Sequence, residues 1–234
     1  MTLQILDDVE VNLIDTFGTD DSIIQAAQVS VKGENEPGIT DERRAGLINY
    51  LMKNRHGSPF EMASMKFFVK APITVFREFQ RHRIFSYNEM SARYSVLPDD
   101  FYIPSVARPL VNEGKSAHPK LVPGTAYQHQ IVQDELLKSY EQGWSSYQTM
   151  LDHGIANEVA RHALPVGICS QMYASTNLRS WMNFLSLRTD DAAATYPSKP
   201  MWEIESVARK VEAVFEKKFP LVYTAWQKNG RVAP

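Results

Sequence analysis

Arg81, His82 and Arg83 head a fourteen-residue run, Arg81-His82-Arg83-Ile84-Phe85-Ser86-Tyr87-Asn88-Glu89-Met90-Ser91-Ala92-Arg93-Tyr94, that mixes cations, hydroxyls, an amide and aromatic rings. Arginine presents a rigid fork of donors suited to phosphate, and Ser, Asn and Tyr supply directional hydrogen bonds for a base or a sugar. This composition suits the holding of flat, phosphorylated ligands. Residues 77–93 carry four arginines against two glutamates, in a chain whose formal net charge is −2. That overall balance argues against a whole-surface polyanion binder, so phosphate recognition must be local. If the triplet is helical, successive side chains turn by about 100°, and Arg81 and Arg83 point nearly opposite ways. The segment would then flank two ligands or lie at an interface between subunits. A merely solvated basic face has no need of Ser86, Asn88 and Ser91 beside Arg93.

Three further blocks carry polar groups at short spacing. His56-Gly57-Ser58-Pro59-Phe60-Glu61 sets an imidazole, a hydroxyl and a carboxylate beside a rigid turn. Glu158 and Arg161 stand i,i+3, which by itself reads as a surface pair on a helix. In Asn177-Leu178-Arg179-Ser180-Trp181-Met182-Asn183-Phe184-Leu185-Ser186-Leu187-Arg188, helical geometry puts Arg179 and Asn183 on one face and Arg188 on another. Cys169, the single cysteine, excludes an intrachain disulfide framework and points to a reducing compartment, the cytoplasm. It reads as a small apolar filler of a buried strand and not as a nucleophile. His118, His129, His153 and His162 show no ligand spacing, and no metal is expected.

The elements that must position these groups follow from periodicity. Val9 to Ile14 alternates like a half-buried strand, and Asp20 and Asp21 can cap a helix through Ile23, Ile24 and Ala27. Thr40 reads as the N-cap of a second helix, closed by Gly57 with His56 at its exit. Met62 to Val69 has strand density, and Pro72 suits the first turn of a helix that carries Val75, Phe76 and Phe79 and delivers Arg81. Residues 98–124, with five prolines, read as a long surface excursion, a lid or a mobile loop. Beyond it come a long helix over Thr125 to His153, a short one over Asn157 to Leu164 and a strand over Ile168 to Ala174. Helices over Leu178 to Arg188 and Trp202 to Lys218 complete the order. No apolar run approaches a membrane span, and Met1 to Glu10 lacks a signal pattern. The irregular order indicates one α+β domain over 1–234, a mixed or antiparallel sheet packed with long helices. It holds no GxGxxG or GxxxxGK[ST], so a nucleotide would be held by side chains, outside a Rossmann framework.

The spacing RHRxxSxNxxSxRY resembles the signature of the flavin-dependent thymidylate synthases, and the other three blocks resemble that family's elements in the same order, from about residue 56 to 188. The resemblance implies a homotetramer with FAD at subunit interfaces. It implies conversion of dUMP to dTMP with 5,10-methylenetetrahydrofolate as carbon donor and NADPH as reductant. Carried over position by position, His56, Ser58, Arg81, His82, Arg83, Glu89, Asn177, Leu178, Arg179 and Asn183 would contact flavin. Glu78, Phe79, Gln80, Arg81, Glu89, Met90, Ser91, Ala92, Arg93, Arg161 and Arg188 would hold dUMP. Arg188 would be catalytic, a fixed cation for charge developing on the uracil ring. Ser91 is a positioning hydroxyl, since no base adjoins it in sequence. The chain departs from the pattern at Glu78, where many relatives have Gln, and around Thr195-Tyr196-Pro197-Ser198-Lys199-Pro200, which precedes Trp202-Glu203-Ile204. An RNA-binding module, with Phe85, Tyr87 and Tyr94 as stacking platforms, is the rival reading; negative charge and the lack of an RNP, KH or OB signature count against it. Another pyrimidine substrate on the same fold is a third.

Overall fold

The computed structural model describes residues 3–32, 40–115 and 119–234. In chain order the elements are β1 (Gln4–Leu6), β2 (Glu10–Phe17), α1 (Asp20–Lys32), α2 (Asp41–Lys53), β3 (Ser64–Pro72), α3 (Ile73–Phe79), β4 (Ser86–Glu89) and β5 (Asp100–Tyr102). There follow β6 (Val111–Asn112), β7 (Leu121–Val122), α4 (Ala126–Asp152), α5 (Asn157–Ala160), β8 (Cys169–Asn177), α6 (Leu178–Arg188), α7 (Trp202–Lys218) and α8 (Pro220–Lys228). One sheet has four strands in the order β2-β3-β8-β4, β1 pairs in parallel with β5, and β6 pairs antiparallel with β7. This is the mixed α+β architecture read from the sequence. No helix among the described residues is long and apolar enough to cross a membrane.

The chain divides into two compact units. The first takes the residues up to Glu10, Val69–Arg81 and Asn88–Met172; the second takes Val11–Phe68, His82–Tyr87 and Tyr173–Pro234. In the first, Phe101 stacks on Tyr140 with ring centroids 4.8 Å apart, and Trp144 and Tyr147 extend the cluster along α4. Each such ring removed from water contributes roughly 1.5–3 kcal/mol. In the second, Trp181 is wholly buried, edge-on to Phe67 at 5.2 Å, with its indole N–H donated to the Met65 carbonyl.

Local signals hold where capping chemistry decides the end. Thr40 accepts from Arg43 N, Thr125 and Gln128 form a reciprocal capping box, and Asn177 Oδ1 accepts from Ser180 N at 2.9 Å. Four expectations are corrected. Asp20 does not cap its own helix: its buried carboxylate accepts from Leu221 N at 3.0 Å and Val222 N at 3.2 Å, capping α8 instead. Thr19 serves α1, accepting from Asp21 N. Gly57 does not close α2; the helix ends at Lys53, and the left-handed residue is Arg55 with φ 59°. Residues 98–124 are not a continuous surface excursion, because Asp100, Phe101 and Tyr102 form a fully buried strand and Asp100 meets Lys70 at 2.6 Å. Finally, α3 stops at Phe79, so Arg81, His82 and Arg83 are not helical.

Replacing Asp20 with alanine is expected to destabilise the protein by about 1–2 kcal/mol, the worth of a well-made N-cap. Asp20→Asn, which keeps an acceptor oxygen, should lose much less in urea titrations.

Candidate active site

In the first unit, α3, the end of β4, the turn after α5 and the start of β8 bring Ile73, Glu89, Ser91, Arg161, Leu164 and Ser170 around one cavity of about 340 Å³. Met90 and Ala92 line it too, so five of the residues carried over for dUMP share one wall system. The rim forms because Met90 N donates to Gln171 O at 2.8 Å, tying the polar run to β8. Glu89 is exposed as a residue, yet its carboxyl reaches into the pocket: burial pushes that carboxyl up from its ordinary value, and the Ser170 hydroxyl partly offsets the push. Ser170 itself is 1% exposed and its Oγ makes no hydrogen bond of regular geometry to a described residue. The motif blocks do not include Ser170; a hydroxyl next to Ile168 and Cys169 at the start of a strand-like run is the signal that marks it.

Arg161 and Glu158 do not pair. Glu158 Oε2 instead accepts from Arg93 Nε at 2.8 Å, and among the described residues no ion pair engages the guanidinium of Arg81 or Arg161. The reason is geometric: Asn157–Ala160 is α-helical but Arg161–Ala163 is a tighter 3₁₀ turn, which turns Arg161 to the cavity. Gln80 is exposed, while the Phe79 side chain is fully buried in the core. Cys169 lies at the cavity's back strand, 1% exposed, its thiol pushed up to about 12 by burial and then by Asp100, and so it is unreactive at neutral pH.

In the second unit the loop after α3 is fastened by its own side chains. Tyr87 Oη donates to the His82 carbonyl at 3.0 Å and Thr176 Oγ1 to the Ile84 carbonyl at 2.6 Å. Phe85 packs edge-on to Trp181 at 4.7 Å and His82 to Phe184 at 4.9 Å. These burials, which no local periodicity encodes, hold 82–85 out of the helical state. Arg188, at the end of α6, donates from Nε to His82 Nε2 at 3.1 Å. That bond requires a neutral imidazole with its proton on Nδ1. His82 is held down to about 4 by burial first and by Arg188 second. Burial also raises the Tyr87 hydroxyl, against the pull of Arg188.

Linkage fixes the pH consequence. Between about 6.5 and 4 the unfolded His82 binds a proton that the folded one refuses, so this group's contribution is complete above 6.5 and is lost as pH falls. Wild-type stability is expected to drop across that window in urea titrations, and the drop should be shallower in His82→Phe.

A second polar group in the same unit gathers the other motifs. Arg179 Nη1 meets Glu61 Oε1 at 2.7 Å, and its Nε donates to Pro234 O at 2.6 Å. Asn183, one helical turn on, is exposed, as are Ser58 and His56, the latter edge-on to Tyr50 at 5.7 Å. Asn177 serves as the α6 cap, and Leu178 is fully buried with its N–H on Ala63 O at 2.9 Å. Arg83 is exposed with no ion pair among the described residues. The departure at 195–200 packs locally: Thr195 N donates to Gly230 O at 2.9 Å and Ser198 Oγ to Leu187 O at 2.7 Å. No group of three or more His, Cys, Asp and Glu among the described residues could hold a metal, and His118 lies outside them.

Known proteins resemble this chain over nearly its whole length. A flavin-dependent thymidylate synthase of Streptomyces coelicolor is 48% identical over 236 residues, 99% of this chain and 96% of that protein. Another from Streptomyces avermitilis is 50% identical over 97% of this chain and 94% of its own length. The crystal structure of the UMP/dUMP methylase PolB from Streptomyces cacaoi bound with 5-Br dUMP superposes with a TM-score of 0.95 at 43% identity, covering 99% of this chain and 100% of that one. Residues 12–221 match the family described as thymidylate synthase complementing protein, Thy1. With four motif blocks in order, a polar pocket in one unit and an arginine–histidine pair in the other, the chain belongs to the flavin-dependent thymidylate synthase family.

Proposed function

We propose that the chain methylates dUMP reductively to dTMP in de novo dTMP biosynthesis, taking the carbon from 5,10-methylenetetrahydrofolate. When bound, reduced FAD supplies the hydride, and NADPH restores it. The observation that carries this reading is the cavity shared by Glu89, Ser91 and Arg161, residues of two separate motifs that converge on one polar wall. Arg161, with no counter-ion among the described residues, suits a phosphate or a carbonyl oxygen. Ser91 Oγ already accepts from Arg93 N at 3.2 Å, so its proton is available to a ligand oxygen. Arg188 is oriented through Nε by His82 and stabilises negative charge on the pyrimidine as N3 ionises or C5 becomes nucleophilic.

The donor set also fits a flavin dinucleotide. Arg81 and Arg83 are exposed cations for phosphates, and Ser58, His56, Arg179 and Asn183 add exposed donors near the start of α6 and the 3₁₀ turn Ser58–Glu61. We assign residues 1–234 to one functional domain that works as a cytoplasmic homotetramer with cofactor at subunit interfaces, since exposed, uncompensated arginines are natural contributions to a shared site. The likeness to a methylase named for both UMP and dUMP supports a second pyrimidine, UMP, as an additional substrate.

The test is an absorbance spectrum of the purified protein, repeated after anaerobic NADPH and then after dUMP or UMP with methylenetetrahydrofolate. Flavin bands that bleach with NADPH and return with dTMP formation are the expected result. A protein that stays colourless after added FAD overturns the assignment and leaves salt-sensitive RNA binding as the reading to examine.

A further inference from the structure

We infer that segment 231–234 is a positioning device for Arg179, anchored by Arg231; the inference rests on the reading that Arg179 faces the flavin. Arg231 is among the largest fully buried side chains, 1% exposed. Its Nη1 reaches Glu212 Oε1 at 2.6 Å and Asp191 Oδ2 at 3.2 Å, its Nη2 donates to Thr189 Oγ1 at 2.8 Å, and its guanidinium lies 4.3 Å over the Trp226 ring. The Arg231 carbonyl also accepts from Ser186 Oγ on α6. Gly230 and Arg231 both have positive φ, 74° and 56°, a turn disfavoured for a residue with a Cβ and here held by that web of side-chain bonds.

Beyond this anchor the backbone reaches Arg179, a flavin candidate, and Arg55, the neighbour of His56. Ala233 O accepts from Arg55 Nη1 at 2.6 Å and Pro234 O from Arg179 Nε at 2.6 Å. Glu61 takes Arg179 Nη1, which leaves Nη2 without a partner among the described residues on a side chain that is 43% exposed. Gly57 completes the clamp: a Cβ there would lie 2.6 Å from Arg179 Nε and 3.0 Å from Pro234 O. Glu61 and Pro234 O together fix the guanidinium in place and leave Nη2 facing outward. Freezing a long arginine beforehand removes ordering that an anion would otherwise have to impose.

The experiment measures FAD binding to the full-length apoprotein by flavin fluorescence, for the wild type, Arg179→Ala, Gly57→Ala, Arg231→Lys and a form lacking residues 233 and 234. Removing 233 and 234, or displacing the guanidinium with Gly57→Ala, is expected to weaken FAD about tenfold, the worth of one charge-assisted hydrogen bond. Arg231→Lys should shift it the same way. In the shortened form, turnover at saturating FAD and the KM for dUMP should stay at wild-type values, which a merely structural loss would not allow. If Arg179→Ala weakens FAD while the shortened form and Gly57→Ala bind it as the wild type does, or more tightly, the positioning role is overturned. If Arg179→Ala itself binds FAD normally, the flavin reading of Arg179 falls, and the inference falls with it.

Discussion

Arg188→Ala is expected to lower dTMP formation by about 10²–10³-fold, the cost of removing one pre-aimed electrostatic group at a developing charge, while flavin stays bound. The size follows from pre-organisation. Arg188 is held through Nε by a neutral His82, and that ring is itself packed against Phe184, so the cation needs no reorientation as charge grows on the substrate. Arg188→Lys separates the two parts of the effect. It keeps a positive charge but loses the N–H that meets His82 Nε2, so turnover should fall between alanine and wild type. Single-turnover rates of flavin reoxidation with dUMP and methylenetetrahydrofolate present are the readout, and wild-type rates in Arg188→Ala would remove the residue from the reaction.

The second large effect is on nucleotide affinity. Arg161→Ala should raise the Kd for dUMP about 10–100-fold, the range of a hydrogen bond or two made by a charged group. The comparison with Arg93 decides whether this is a site effect or a general loss of positive charge. Arg93 already meets Glu158 at 2.8 Å, with both side chains about half exposed, so it brings little uncompensated charge to a ligand. Arg93→Ala is therefore expected to cost only a few-fold by the same pairing argument. Isothermal titration of both variants with FAD bound would show it, and equal losses would mean that the cavity around Glu89, Ser91 and Ser170 does not read the nucleotide through Arg161.

Much of the chain is legible without coordinates where its information is local. Ala126–Asp152 and its Thr125–Gln128 box, Leu178–Arg188 behind the Asn177 cap, and Trp202–Lys218 are written in i,i+3 and i,i+4 spacing that any reader of the sequence can see. The same holds for the motif blocks, whose residue types declare phosphate and base chemistry. Ser86–Glu89 is different. It has no apolar alternation and becomes a strand only because β8 offers it a hydrogen-bonding edge. Phe101 looked like part of a proline-rich excursion, and is buried because Tyr140 and Trp144, about forty residues away, present rings to it.

Partner choice was likewise decided by the fold. Asp20 caps a helix 201 residues away, Glu158 leaves its i+3 neighbour for Arg93, and Arg188 finds His82 across 106 residues. A carboxylate or guanidinium can satisfy many partners at similar cost, and nothing in its local sequence ranks them. The ranking comes from which elements the burial of Trp181 and Phe184 in one unit, and of Phe101 and Tyr140 in the other, forces together, so residue types alone determined the chemistry available to this protein, and tertiary packing determined which of those groups face one another.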